Sequence, residues 1–532
     1  MTFSTIDYIV FGVYCFIIIG LGLFISTRKK RSETDSSDYF LAGRALPWWA
    51  IGASLIASNI SAEQFIGMSG SGFAIGLAIA SYEWMAALTL LIVAVFFLPI
   101  FLKKKIFTMP QFLETRFDKR VKTVMAIFWL IVFVFVNLTS ILYLGALAME
   151  RIMGVPMFYG IIGLAAFAAL YSIYGGLKAV AWTDVVQVVF LVGGGLLTTY
   201  FALNYLGGDR GFLEGFRQLL VMVPEKFDMI LEKGSMMVPD GKGGLKDAYL
   251  DLPGISVLIG GMWVANLYYW GCNQYIIQRA LAAKSIREAQ KGLAFAAYLK
   301  ILLPLIVVIP GIVAYALQAD IAKSDEAYPW LLHSFVPSGV KGLAFAALVA
   351  AIVSSLASMM NSVSTIFTMD VYREYFNKHA SEQKLVRTGR MVSTGALLIA
   401  IFIAPLLSNL DQAFQYIQEF TGFVSPGALA IFLAGFFYRK ATSNGALAAA
   451  IGTFAFSLLF KIFLPEMPFM DRMGIVFLLC VGLIWLFAIL QGSKVHTKAI
   501  TIHKSQFHTD KAFKVASVGI IIILIVLYAV WW

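Results

Sequence analysis

Charge is scarce in this sequence. Asp, Glu, Lys and Arg make up 13% of its 532 residues, about half the share of roughly 25% in soluble globular chains. That shortage excludes a water-soluble enzyme of this length, a disordered chain and a nucleic-acid binder. Cysteine is nearly absent as well. Cys15, Cys272 and Cys480 all sit inside apolar runs, so no disulfide framework is expected. Of the five histidines none falls in an H-E-x-x-H pattern, and a G-x-x-x-x-G-K-[ST] phosphate loop is missing. A zinc hydrolase and an ATP-driven pump are therefore not expected.

What fills the chain instead is apolar. Hydrophobic residues make up 60% of it, and the mean hydropathy is +0.82. At about 20 residues per membrane span, the apolar runs between residues 8 and 531 number fourteen. The expected fold class is an all-α polytopic membrane protein with fourteen transmembrane helices. No stretch between runs is long enough for a soluble domain.

The formal charge of +11 is unevenly distributed. Basic residues gather in alternate connections: Arg28–Arg31 with Arg44, Lys103–Arg120, Arg279–Lys291, Arg373–Arg387, Arg439 with Lys440, and Lys494–Lys511. The connections between these hold Arg151, Lys323 and little else. Excess Lys and Arg mark the cytoplasmic side, which places both termini outside. Residues 1–7 carry no basic n-region, so the first run reads as a retained span rather than a cleaved signal. The long connection 206–252 is external, and Gly211–Lys226 within it reads as a surface amphipathic helix.

Two runs are interrupted by polar residues. The second contains Ser58, Asn59, Ser61, Glu63 and Gln64, and the seventh contains Gly254, Asn266, Asn273 and Gln274. Irregular backbone at membrane depth survives only where it lines a cavity or lies within protein. Each interrupted run opens a set of five, 48–205 and 253–437. That arrangement points to an inverted repeat with a binding site at mid-membrane.

Ionisable groups within spans cost roughly 2.5 kcal/mol or more each unless paired or solvated. Glu83, Asp184, Lys300 and Glu419 lie in apolar runs. A Glu and a Lys bordering one cavity are net neutral and offer both acceptors and donors, as a polyhydroxylated neutral solute requires. Ser354 and Ser355 add adjacent hydroxyls. With carbonyls freed by a broken helix they form an uncharged oxygen cage suited to a hard cation. Plainer readings stand beside these: a structural ion pair, a snorkelling lysine, and serines that only pack helices.

Several strings then carry a resemblance. They are Ala57-Ser-Asn-Ile-Ser-Ala-Glu-Gln-Phe-Ile-Gly-Met-Ser-Gly70, Tyr171-Ser-Ile-Tyr-Gly-Gly-Leu-Lys-Ala179 and Trp263-Val-Ala-Asn-Leu-Tyr-Tyr-Trp-Gly271. Ile352-Val-Ser-Ser-Leu-Ala-Ser358 and Gln412-Ala-Phe-Gln-Tyr-Ile-Gln-Glu419 follow them. In this order they resemble the sodium:solute symporter family, and its sugar-transporting members in particular. The resemblance implies a LeuT-like five-plus-five inverted repeat: one extra span before it at 8–26, repeats at 48–205 and 253–437, the 206–252 loop between, and three spans after at 443–531. It implies sodium-coupled import of galactose or glucose through the cell inner membrane by a protein that is not an enzyme and has no obligate protein partner.

The resemblance also assigns roles. It places the sugar among Gln64, Glu83, Asn266, Lys300 and Gln418, with Tyr269 stacked as the cytoplasmic-side gate and Asn59 hydrogen-bonded to it. Met68, Tyr82 and Phe414 would close the external side. Sodium would be held by carbonyls of Ala57, Ile60 and Ala351 and hydroxyls of Ser354 and Ser355, with Asp184 just behind. Two departures matter. Ala86 stands where a sugar-transporting member has Ser, which leaves the preferred sugar open. Ala351 stands where members with a second sodium site tend to have Ser, which favours one sodium per cycle. A symporter of inositol, a nucleoside or an amino acid is the runner-up.

Overall fold

A computed structural model describes residues 3–27, 36–239, 244–409 and 413–532. The Arg28–Arg31 cluster and Gln412 lie outside the described residues. Almost everything described is helical. The exception is a small antiparallel hairpin in the 206–252 segment, β1 (Met237–Pro239) against β2 (Leu245–Asp247), with Met237 opposite Asp247.

Among the described residues ten helices are long and apolar enough to cross a membrane, or twelve when each of two bent helix pairs is one span. The fourteen apolar runs do not emerge as fourteen separate helices, because neighbouring runs are joined. Glu63–Lys104 forms one stretch of 42 residues. Runs five and six merge into a 51-residue helix, Met157–Gly207, bent at Gly176, where φ is +56°. Only glycine takes that conformation at little cost.

The elements that frame the site follow in chain order. After the N-terminal helix α1 (Thr5–Thr27) comes α2 (Trp48–Asn59), then a π-helical turn at Glu63–Met68, α3 (Ser69–Ile75) and α4 (Ser81–Ile92). The bent helix Met157–Gly207 is α5, and α6 (Gly211–Met222) lies beyond it. The second half contributes α7 (Gly261–Gly271), α8 (Gln274–Leu281), α9 (Ile286–Ala316) and α10 (Val340–Ile366). It ends with α11 (Ala413–Thr421), α12 (Ser425–Phe437) and α13 (Lys511–Val530).

Helix α10 is the centre of the bundle. Together with its continuation to Phe376 it is 94% buried over its most apolar window, against 17% for α1 and α13 at the periphery. Its main neighbour is α5. The surface helix expected at Gly211–Lys226 is α6, which stops at Met222 ahead of Pro224. Leu213 and Val221 are exposed on it, as suits a helix lying in an interface.

Both expected interruptions are present. Helix α2 ends at Asn59 and Ile60 is extended, with φ −75° and ψ 105°. The seventh run bends by 78° at Gly260 and gives way to α8 after Cys272. A third interruption was not anticipated: α11 and α12 meet at 47°.

Candidate functional site

The break after α2 is written in local chemistry. The Ser61 N–H, which would close onto the Ala57 carbonyl in a continuous helix, donates instead to Gln64 Oε1 at 2.9 Å. The Glu63 N–H donates to Ser61 Oγ at 3.0 Å. Ser61 and Gln64 thus cap the helix that restarts here, Gln64 reaching back to the Ser61 N–H and hydroxyl while Ser61 Oγ takes the Glu63 N–H. The result leaves the Ala57 carbonyl at the end of α2 without that helical donor.

Around this break the structure brings together most of the residues singled out from the sequence. Asn59, Gln64, Tyr82, Glu83, Ala86, Asn266, Tyr269, Lys300, Phe414 and Gln418 line one cavity of about 50 Å3. Ligand-filled sites are usually about 300 Å3 or larger, so the space between these side chains is narrow. Lys300 Nζ donates to Glu83 Oε2, and both side chains are buried. The ammonium also lies 5.1 Å from the centre of the Trp270 ring. Gln64 faces the same space with its Oε1 already engaged by Ser61. Asn266 Nδ2 donates to the Met262 carbonyl at 3.2 Å.

Aromatic rings close the two sides. The Phe414 and Tyr82 rings meet edge to face at 5.1 Å. The Tyr82 hydroxyl is buried and makes no hydrogen bond among the described residues. On the other side Asn59 Nδ2 donates to the Tyr269 hydroxyl at 2.8 Å, and that hydroxyl also pairs with Tyr275. Met68 is buried at the end of the π turn but does not line the cavity.

A second cluster lies at the end of α2 facing α10. Ser355 Oγ donates to the Ser58 carbonyl at 2.9 Å and reaches the Ile60 carbonyl at 3.5 Å. Ser354 Oγ donates to Asp184 Oδ1 at 2.5 Å, and Ser54 donates to Oδ2 at the same distance. Hydroxyls and helix-end carbonyls therefore converge here, with one carboxylate behind them. That donor set fits a hard monovalent cation. Ala351 lies within the unbroken α10, where its carbonyl already belongs to the helix ladder. Glu419 stands apart from both clusters, held by Arg472 at 2.9 Å and Lys461 at 3.0 Å.

Sequence reasoning missed three residues. Glu63 and Trp270 line the cavity; Glu63 was read only as one of the polar residues breaking the run. Arg279 is fully buried against the cation cluster, although its sequence neighbours mark it as a cytoplasmic-loop residue.

Residues 39–452 match the model of the sodium:solute symporter family. The chain belongs to that family. It is a sodium-coupled solute symporter and a multi-pass membrane protein, not an enzyme. Among similar proteins is the sodium/glucose cotransporter of Vibrio parahaemolyticus, 54% identical over 99% of this chain and 98% of that one. The mouse sodium/myo-inositol cotransporter 2 is 34% identical over 84% of this chain and 68% of its own. Among solved structures, a Na+-coupled sialic acid symporter superposes with a TM-score of 0.79 at 23% identity, over 92% of this chain and 98% of that one. Mhp1, a nucleobase-cation-symport-1 family transporter, gives 0.53 at 13% identity, over 87% and 98%. These two likenesses concern the fold alone, and they are LeuT-like.

Proposed function

We propose that this symporter imports a neutral monosaccharide, glucose or galactose, with one sodium ion per cycle. The observation that carries the reading is the buried Glu83–Lys300 pair on the wall of a cavity that also holds Asn266, Gln64 and Tyr269. A matched charge pair has no net preference for an ionic solute, yet it offers strong acceptors and donors to hydroxyl groups. The break in α2 places that cavity one residue from the cation cluster, since Asn59 borders the first and Ile60 the second.

The architecture that suits this reading has fourteen spans: 8–26, an inverted five-plus-five pair at 48–205 and 253–437, and three more within 443–531. Both termini face outward, and 206–252 is an external loop. Sodium binds from outside at the carbonyls of Ala57, Ile60 and Ala351 and the hydroxyls of Ser354 and Ser355, with Asp184 behind them. It tethers α2 to α10, orders the π turn and completes the sugar site. Tyr82, Phe414 and Met68 then close the external side. Inward opening loosens the tether, and Tyr269 moves aside for the sugar. A potential of ~100 mV supplies about 2.3 kcal/mol per charge, and a tenfold gradient adds ~1.4 kcal/mol. Together they sustain roughly 500-fold accumulation at one sodium per sugar.

The test is uptake of labelled galactose and glucose into proteoliposomes under an inward sodium gradient, with potassium as control. Sodium-driven accumulation above equilibrium that Ser355→Ala abolishes is the expected result. Equal uptake with either cation refutes coupling to sodium, and no uptake of either sugar refutes the substrate. The likeness to a myo-inositol cotransporter makes a cyclic polyol the second solute to try.

A further inference from the structure

Arg279 on α8 is a fully buried guanidinium placed against the cation cluster, not the sugar cavity. Its Nε donates to Ser54 Oγ at 3.3 Å. Its two terminal nitrogens donate to Ser358 Oγ and to the Tyr275 carbonyl. Ser54 in turn donates to Asp184, the carboxylate that also receives Ser354. Ser358 shares a 2.8 Å hydrogen bond with Ser58, whose carbonyl holds Ser355. Two arms of the guanidinium therefore end one hydroxyl short of the cage, one on α2 and one on α10.

Helix α10 carries a polar stripe through this point. Ser354, Ser358, Asn361, Thr365 and Thr368 recur at intervals of four and three residues, which is one helix face. All five are buried; Thr368 lies where the helix continues as the π-helical segment Phe367–Phe376. Beyond Ser358, neither atom of the Asn361 amide makes a hydrogen bond among the described residues, nor does the Thr368 hydroxyl. Only Thr365 is crossed by a neighbour on α8, Gln278 Nε2 at 3.1 Å. Buried polar groups in a span are costly unless water or an ion reaches them. The basic segment Arg373–Arg387 that follows marks this end of α10 as cytoplasmic.

We propose that Arg279 is the cytoplasmic stopper of the cation site and that the stripe from Ser358 to Thr368 is the release path it guards. The inference rests on the sodium reading of the cage. A fixed positive charge at the mouth of the path repels the ion behind it. Its hold on Ser54 and Ser358 also keeps both hydroxyls from serving a second cation. Because those anchors sit on different helices, separating α2 from α10 breaks the hold and opens the path. A guanidinium that only balances the Asp184 charge would do none of this.

The test uses the full chain in proteoliposomes, as wild type, Arg279→Gln and Arg279→Lys, each with and without Thr368→Cys. Sodium-dependent thermal stabilisation, with potassium as control, reports first whether the cage takes sodium; a wild type without it sinks the sodium reading itself. Given that stabilisation, Arg279→Gln is expected to raise sugar-independent efflux of isotopic sodium about tenfold or more. It should speed cytoplasmic thiol labelling at Thr368→Cys in parallel, while Arg279→Lys keeps both close to wild type. Arg279→Gln that folds, binds sodium, and neither leaks nor labels faster overturns the proposal. Should Arg279→Gln fail to fold, Thr368→Cys in the otherwise unchanged chain decides. Labelling that is slow in sodium and fast in sodium plus galactose supports the path, and equal labelling in both refutes it.

Discussion

Asn59 donates a 2.8 Å hydrogen bond to the hydroxyl of Tyr269, joining the last residue of α2 to the ring beneath the cavity. The next residue, Ile60, offers its carbonyl to the cation cluster. Whatever fixes the end of α2 therefore also fixes the ring. Such coupling is a reciprocal free energy between the two ligands. Replacing Asn59 by Ala removes the link and leaves Tyr269 bonded to Tyr275. One hydrogen bond of about 1 kcal/mol corresponds to about fivefold, so the gain in sugar affinity from sodium should shrink by about that factor. Sugar dissociation constants measured in sodium and in potassium give the ratio directly. A ratio equal to the wild type's would show that the two sites communicate elsewhere.

The Glu83–Lys300 pair makes a different kind of prediction. Both groups are buried, so removing one strands the other. Breaking a buried pair typically costs about 3–5 kcal/mol. Glu83→Gln and Lys300→Met should each lower the unfolding temperature markedly, while the double variant recovers most of the loss. All three should fail to bind sugar. Melting curves of the four proteins close a double-mutant cycle. Simple addition of the two single effects would mean that the residues are not a coupled unit.

That pair was legible in the sequence because an ionisable residue inside an apolar run is conspicuous. So was the break in α2, since Ser58, Asn59, Ser61, Glu63 and Gln64 crowd polar groups into the middle of an apolar run. Arg279 was not, because it sits a few residues from Lys284 and Arg287 and reads as one more basic loop residue. What buries it is the turn between α7 and α8, which folds the start of that connection back against α2 and α10. The bend between α11 and α12 escaped for a similar reason. It falls at Gly422–Val424, where the flanking Gln418, Glu419, Thr421 and Ser425 read as site or packing groups rather than as a break. Within Glu63–Lys104 and Met157–Gly207 single glycines, Gly76 and Gly176, turn the chain without interrupting its hydropathy, so the apolar runs there join.

At Gly76 the 206–252 loop presses on the end of α3. Its φ is +74°, and a Cβ there would lie 2.3 Å from the Lys226 carbonyl. The Lys226 ammonium donates to the Ala74 carbonyl at 2.6 Å and sits 3.9 Å from the centre of the Tyr315 ring. Burial in this loop pulls the lysine down from its ordinary 10.5 to about 8. Between those values the unfolded chain holds the proton that the folded one has released. Stability must therefore rise with pH from about 8 to 10.5 on account of this group, and stay flat below that window. Lys226→Met should remove that part of the slope. Melting temperatures of both proteins across the window measure it, and identical slopes would mean that Lys226 is not the group responsible.

Ala86 offers the sharpest test of what the cavity holds. It lies one turn beyond Glu83 on α4, is almost fully buried and faces the same space. Ala86→Ser adds one hydroxyl to that wall with little change in volume. If a sugar sits against it, the new group gains a hydrogen bond of about 1 kcal/mol, about fivefold in affinity. Galactose and glucose differ in the direction of a single hydroxyl, so a new donor that meets that hydroxyl favours one sugar over the other. The expected outcome is a change in the ratio of their two affinities, read by competition against labelled galactose. An equal gain for both would put the serine beside a part of the ring that the two sugars share. No change for either would mean that the sugar does not reach α4, and Glu83 would then have to act on it from a distance.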